Sequence, residues 1–145
     1  SVSEIMVPRE QVQTLTLGCT PAELEHAVAR TGYSRFIVTD PEGSYMGYLH
    51  LKDALAVPPA REHIPFGWRL VRSMSVVAPE TDIDDALAIM QGNNSHLAHV
   101  VGSNGRSLGV VFMEDVLEEL VGEIKDTTQD RVRRLQAASR ASNDK

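Results

Sequence analysis

Apolar positions along the chain follow two periods, one typical of helices and one typical of strands. Around Leu24, Ala27 and Val28 they recur every three or four residues, which predicts an amphipathic helix. The runs 36–39 and 46–49 are short, apolar and rich in strand-forming residues, and a turn containing Pro and Gly separates them. These two runs predict a β-hairpin behind the helix.

The same succession occurs a second time. Ser34 and Ser95 are 61 positions apart, and Asp53 and Asp115 are 62 apart, with similar residues around each pair. A further strand is expected ahead of each first helix, over 12–17 and 70–77, and a second helix opens near each Asp. We therefore predict an α+β fold of two β-α-β-β-α repeats. Because 55 to 60 residues, roughly, bury too little surface alone, the repeats should pack as a pseudo-twofold pair.

Helix boundaries are marked by capping residues. Thr20, Pro21 and Glu23 form a capping-box pattern, and Thr81 with Asp82 repeats it. The glycine-containing ends of both helices suit the left-handed conformation that closes a helix. We place repeat 1 at 1–57, a linker at 58–68 and repeat 2 at 69–128.

The remaining residues, 129–145, form a basic tail in which four arginines and a lysine outnumber two aspartates. One interpretation is a helix that ends in a disordered terminus. The other is a surface for anionic lipid headgroups or a partner protein.

Charge and composition exclude several function classes. Twenty acids against fourteen bases give a net charge of -6, which argues against nucleic acid as a partner. No apolar run approaches the length of a membrane span, so we expect a soluble fragment. A single cysteine and no recognisable leader favour the cytoplasm. Walker, nucleophile-elbow and dinucleotide-binding motifs are missing, so we expect no enzyme activity and no required cofactor.

Four segments carry a family resemblance: 3–9 (SEIMVPR), 33–35 (YSR), 51–53 (LKD) and 114–124 (EDVLEELVGEI). Together they resemble a tandem pair of cystathionine-β-synthase (CBS) domains, a Bateman module, of the CorC, HlyC and cyclin-M group. The resemblance implies a regulatory homodimer beside a membrane domain of the same parent chain, at the cytoplasmic face of the cell membrane. It also implies a link to magnesium or cobalt transport.

By the same resemblance, the ligand is an adenosine nucleotide (AMP, ADP or ATP, alone or with Mg²⁺) in the cleft between the repeats. Asp53 and Asp115 are the expected ribose ligands, since a carboxylate accepts hydrogen bonds from two vicinal hydroxyls. The family pattern has Thr or Ser three positions before each Asp, but this chain has His50 and Phe112. The remaining candidate nucleotide-binding residues are Ser34, Arg35, Ser95 and His96.

Each candidate also has a structural interpretation. Asp53 and Asp115 are equally explained as helix caps, Arg35 as a salt-bridge residue and Phe112 as a core residue. The alternative function is then a ligand-free dimerisation or interaction scaffold.

No metal site is expected. His96 and His99 point to opposite faces of one strand, so they cannot bind the same ion. The acidic group formed by Asp82, Asp84 and Asp85 is best explained by helix capping.

Overall fold

The computed structural model describes residues 1–143. Strands are β1 (Val7–Pro8), β2 (Thr14–Thr16), β3 (Arg35–Thr39), β4 (Tyr45–His50), β5 (Ser75–Val77), β6 (Leu97–Val101) and β7 (Ser107–Phe112). Helices are α1 (Pro21–Thr31), α2 (Leu51–Leu55), α3 (Ile83–Gly92) and α4 (Met113–Asn143). Short 3-10 turns occur at Val2–Glu4, Arg9–Gln11, Pro59–Arg61 and Trp68–Leu70.

Two sheets with the same internal pairing form the frame of the molecule. In the first, β2 runs parallel to β3 and β3 antiparallel to β4; β5, β6 and β7 repeat this in the second. The registers also agree, since Thr14 pairs with Ile37 and Ser75 with Ala98. The predicted α+β pair of β-α-β-β-α repeats is confirmed.

Each sheet is completed by a segment from elsewhere in the chain. At the N-terminus, β1 pairs antiparallel with β7, placing Val7 opposite Val110. Between the repeats, Arg72 forms the equivalent bridge to Tyr48 on β4, with N–H to carbonyl distances of 2.8 and 3.0 Å. We call residues 7–8 and Arg72 the crossing segments. They interlock the repeats, because residues 7–8 come from the first repeat and pair with the second sheet, whereas Arg72 follows the linker and pairs with the first sheet.

A glycine admits each crossing segment. A Cβ at Gly47 would overlap the backbone of Arg72, and one at Gly109 would overlap the backbone of Val7. Any larger residue at either position would therefore push the crossing segment away from the sheet.

Apolar side chains fill a core in each repeat and a third core between them. The inter-repeat core consists of Ile37, Tyr48, Leu97 and Val110, each at most 2% exposed. Because these side chains come from β3 and β4 of one sheet and from β6 and β7 of the other, the sheets pack directly against each other.

Local structure agrees with most predicted boundaries. Thr20 caps α1 by accepting a hydrogen bond from the N–H of Glu23 at 3.1 Å, and α1 ends at Gly32 with a φ of 78°. The predicted second capping box is wrong, because Asp82 makes no side-chain cap bond. The predicted strand 70–77 is shorter, because Arg72 turns aside to pair with Tyr48.

The basic tail is helical as far as Asn143, since α4 continues through it. The prediction of a disordered end falls on residues 144–145, which lie outside the described part of the chain.

Candidate functional site

The crossing segments create two equivalent corners where the repeats meet. The corner at Asp53, the closed corner, is built on the first turn of α2. His50 caps this helix: its Nδ1 accepts from the N–H of Lys52 at 3.0 Å, and its own N–H donates to Asp53 at 2.8 Å. Arg72 then donates to both carboxylate oxygens of Asp53, from Nε at 3.2 Å and Nη2 at 2.6 Å.

These bonds set the protonation of the closed corner. Burial raises the pKa of Asp53, but the hydrogen bonds from Arg72 and His50 outweigh burial and leave the pKa below its ordinary value. For His50, burial and the nearby Arg35 lower the pKa. Asp53 is therefore ionised, and both of its carboxylate oxygens accept hydrogen bonds. His50 is a neutral helix cap.

The corner at Asp115, the open corner, contains a cleft of about 470 Å³. Its lining comes from both repeats: Val7, Gly32, Tyr33, Ser34, Arg35, Phe112, Glu114 and Asp115. Asp115 is half-buried in the first turn of α4 and has no ion-pair partner within residues 1–143. Burial raises the pKa of Asp115, and Glu114 and Glu118 raise it further.

One ion pair bridges the two repeats at the open corner. Arg35, at the start of β3, donates from Nη1 to Glu114 of α4 at 2.5 Å. Arg35 is 18% exposed and Glu114 57% exposed, so the pair stands at the rim of the cleft. Of the two interpretations of Arg35, the salt bridge is the one found in this structure. The guanidinium carries further N–H donors besides the one that bonds Glu114.

A narrow apolar slot adjoins the open corner. The two cavities share Val7, Tyr33, Arg35 and Phe112, and the slot continues to Ile37 and Leu97 of the inter-repeat core. Its free volume is only about 10 Å³, roughly one water molecule. Phe112 is half-buried between slot and cleft, so it belongs to the core edge as well as to the site.

The crossing segments explain why the corners differ. Val7 pairs with Val110 as Arg72 pairs with Tyr48, so these two residues hold equivalent positions. Arginine reaches the neighbouring Asp and fills its corner, whereas valine is too short and leaves Asp115 unpaired. Sequence reasoning missed Arg72, Val7, Tyr33 and Glu114.

The structure separates the other predicted residues. Ser34 lies with Arg35 in the open corner. Ser95 is 1% exposed, and its hydroxyl contacts that of Ser75 at 2.5 Å, so it lies in the interior away from the cleft. His96 is exposed, and its backbone N–H donates to the Tyr48 hydroxyl at 3.2 Å.

Other polar groups have structural roles. The carboxylates of Asp82, Asp84 and Asp85 lie within 4.8 Å of one another, exposed at the start of α3, where the helix dipole favours acids. His99 forms a hydrogen bond with Ser107 at 2.7 Å, and its ring packs at a tilt against the ring of Tyr45. Across residues 1–143, no helix has the length and apolar character needed to cross a bilayer.

Known proteins match most of the chain. The CBS domain family model matches residues 2–59 and 70–122. An uncharacterized protein of Mycobacterium tuberculosis is 39% identical over 132 residues, covering 88% of this chain and 38% of that protein. The magnesium and cobalt efflux protein CorC of Buchnera aphidicola is 31% identical over 143 residues, covering 95% and 49%. This chain thus spans less than half of these relatives.

Solved structures of CBS domains are similar to most of this chain. The CBS domain of a bacterial CNNM/CorC family Mg²⁺ transporter in complex with ATP superposes with a TM-score of 0.74 at 27% identity, covering 83% of this chain and 87% of that one. The CBS domain of a putative transporter from Clostridium difficile gives a TM-score of 0.73 at 28% identity, covering 84% and 94%.

Proposed function

Because this chain belongs to the CBS domain family, as a tandem pair similar to those of CorC-type magnesium transporters, we propose that it is a regulatory, non-catalytic module that binds an adenosine nucleotide. The binding site is the open corner. The observation that carries this proposal is the unpaired, half-buried carboxylate of Asp115 beside a cleft of about 470 Å³. The similar structure solved with ATP supports the choice of ligand.

The geometry of the open corner suits the parts of a nucleoside. Asp115 has no cation paired with it among residues 1–143, so its two oxygens are available to the vicinal ribose hydroxyls. The adenine ring enters the apolar slot beside Val7 and Phe112. Since the slot is nearly filled, Tyr33, which is 48% exposed, moves outward to admit the ring. Asp53 takes no part, because Arg72 and His50 occupy its carboxylate.

Phosphate binding in this corner requires a rearrangement of charge. Arg35 is the cation that faces the cleft, and it is paired with Glu114. The phosphates compete with Glu114 for the guanidinium, and Mg²⁺ offsets the negative charge of Glu114 and Asp115. We therefore expect tighter binding of ATP with Mg²⁺ than without it.

The regulatory consequence follows from the position of this pair. Arg35 belongs to the first repeat and Glu114 to the second, so their ion pair joins the repeats. A nucleotide that binds Arg35 breaks this ion pair, and both repeats then contact the nucleotide instead of each other. A ligand that prefers one arrangement of the repeats shifts the population toward it. In the parent protein, that shift is passed to a membrane domain of the same chain that moves Mg²⁺ or Co²⁺. The module itself lies at the cytoplasmic face of the membrane, as a homodimer.

A second function is favoured by one observation. Phe112 stands where the family pattern has a hydroxyl donor, and the adjoining slot is nearly full. If Phe112 keeps the slot closed, the module is a ligand-free scaffold that only dimerises the parent protein.

Calorimetric titration with AMP, ADP and ATP, each with and without Mg²⁺, separates these functions. The sensor predicts saturable heat with one site per chain and a rise in melting temperature. The scaffold predicts neither at millimolar nucleotide. Prolonged incubation with ATP provides the check on catalysis, because conversion of the nucleotide would contradict a regulatory role.

A further inference from the structure

The second half of α4 is a helix without tertiary cover. Every residue from 123 to 141 is exposed, although the segment contains Ile124, Val132 and Leu135. Gly122 and the β-branched pair Thr127 and Thr128 lower its intrinsic helix propensity. Since most helices in proteins depend on packing of an apolar face, this segment needs a surface to bind.

The exposed apolar side chains form one stripe along α4, and the stripe is symmetric about Thr128. Val121 and Leu135 lie seven positions on either side of Thr128, and Ile124 and Val132 lie four positions on either side. Leu117 extends the stripe eleven positions before Thr128. These five apolar side chains are between 43% and 66% exposed. The spacing of three and four residues keeps all of them on one face of a straight helix.

A symmetric stripe is self-complementary when two copies of the helix run in opposite directions. Val121 of one copy then faces Leu135 of the other, Ile124 faces Val132, and Thr128 faces Thr128. The Thr128 hydroxyl already donates to the carbonyl of Ile124 at 2.9 Å, so no polar hydrogen is left unsatisfied at the centre.

Charge favours the same arrangement. Residues 113–126 contain six acids and one base, whereas residues 127–143 contain four arginines and one acid. Antiparallel pairing places the acidic half of each helix beside the basic half of the other. Parallel pairing would place like charges together.

We propose that α4 is an interaction surface for α4 of a second copy, paired antiparallel about a twofold axis at Thr128. This rests on the homodimer of the proposed function and names its contact. A membrane surface fits less well, because lipid headgroups would use the arginines but leave the symmetric apolar stripe unexplained.

Thiol cross-linking tests the direction of pairing in the full chain. Cys19 can stay, because it is buried and burial raises its pKa to about 11, which leaves it unreactive. We expect a short bismaleimide to join Val121→Cys to Leu135→Cys when the two variants are mixed, and Thr128→Cys to itself. Val121→Cys alone should remain uncoupled. Self-coupling of Val121→Cys, or no coupling in the mixture while the chain is dimeric, would overturn the antiparallel contact.

Sedimentation equilibrium tests the stripe itself with a matched pair. Leu135→Glu should raise the dimer dissociation constant about a hundredfold, since each dimer loses two buried leucines. Ala137→Glu adds the same charge on the opposite face of the helix and should leave the constant unchanged. Equal constants for both variants would overturn the α4 contact and leave the homodimer and the nucleotide site standing. A monomeric chain would remove both the contact and the homodimer, and binding of α4 to anionic vesicles with no dimer would identify the membrane instead.

Discussion

The two corners between the repeats have the same backbone plan and opposite chemical states. At the closed corner, Asp53 receives hydrogen bonds from Arg72 and from the N–H of His50. At the open corner, Asp115 faces a cleft of about 470 Å³ and carries a raised pKa. A carboxylate at one place in a repeated fold is thus hydrogen-bonded by a guanidinium in one copy and faces a cleft in the other.

Part of the difference arises at the helix start, where His50 caps α2 and Phe112 holds the matching position, and part arises outside it. Both aspartates lie in the first turn of a helix, at matching positions of the two copies. Their partners come from the crossing segments, which carry Arg72 on one side and Val7 on the other. We therefore expect the identity of one side chain on each segment to influence which corner stays open.

The largest expected effect separates the two aspartates by ligand affinity. Asp115→Ala should weaken ATP binding in the presence of Mg²⁺ about a hundredfold, because two charge-assisted hydrogen bonds to ribose are lost. Asp53→Ala should bind ATP as the unmodified chain does. Calorimetric titration of both variants measures this. An equal loss in the two variants would show that the corners are not distinct.

The second comparison measures stability, and here we expect the substitution of Asp53 to have the larger effect. Asp53→Ala should lower the free energy of unfolding by about 2 kcal/mol, since α2 loses its cap and Arg72 loses its partner. Asp115→Ala should change it by less than about 0.5 kcal/mol. Urea denaturation at neutral pH gives both values. A larger loss for Asp115→Ala would mean that Asp115 holds a structural contact of its own.

Exchange of the crossing-segment residues tests whether they decide the state of each corner. Val7→Arg should place a guanidinium beside Asp115 and weaken ATP binding about tenfold, because the nucleotide must displace it. Val7→Leu, which adds bulk without charge, is the control and should bind nearly normally. If both substitutions weaken binding equally, volume rather than charge governs the corner.

The reciprocal change is expected to open the closed corner. Arg72→Val frees the Asp53 carboxylate, and we expect a second, weaker nucleotide site in the calorimetric stoichiometry. A stoichiometry that stays at one would show that His50 alone keeps this corner closed.

The smallest effect concerns pH and has opposite signs at the two corners. The lowered pKa of Asp53 means that its ionised form stabilises the fold, and this contribution is lost as pH falls below about 4. The raised pKa of Asp115 means that ionisation costs stability, and the cost disappears as pH falls. At neutral pH, Asp115→Asn should be slightly more stable than the unmodified chain and Asp53→Asn less stable.

Each of these differences should stay below about 1 kcal/mol, because solvent screens both groups. Urea unfolding of the two Asn variants between about pH 3 and pH 7 tests the signs. Parallel pH profiles for the two variants would contradict the assignment of opposite roles.

The fold could be predicted from the sequence because it is encoded locally. Apolar periodicity, the Thr20 cap and the hairpin turns each depend on residues close together in the chain, and the second copy repeats the signal. The open corner could be predicted only in part. Ser34, Arg35 and Asp115 line the same cleft, but Ser95 is buried and the carboxylate of Asp53 is bonded to Arg72.

The missed residues depend on long-range pairing. Val7 reaches the open corner because β1 pairs with β7, about a hundred residues later in the chain. Arg72 reaches Asp53 because its backbone leaves the predicted strand and pairs with Tyr48. Neither contact has a local pattern, so hydrophobic periodicity could not indicate them.

The crossing segments also have a consequence for how the molecule unfolds. The stretch that is duplicated in the sequence is not the stretch that folds as a body. Val2 packs in the core of the second repeat and β1 completes the second sheet, while Arg72 completes the first. Melting one half would strip an edge from the other, so both should denature in a single cooperative transition. A cut in the linker would leave residues 2–8 attached to the first half although they pack on the second. A circular permutant that attaches residues 2–8 directly to the second half would therefore separate the two halves more completely.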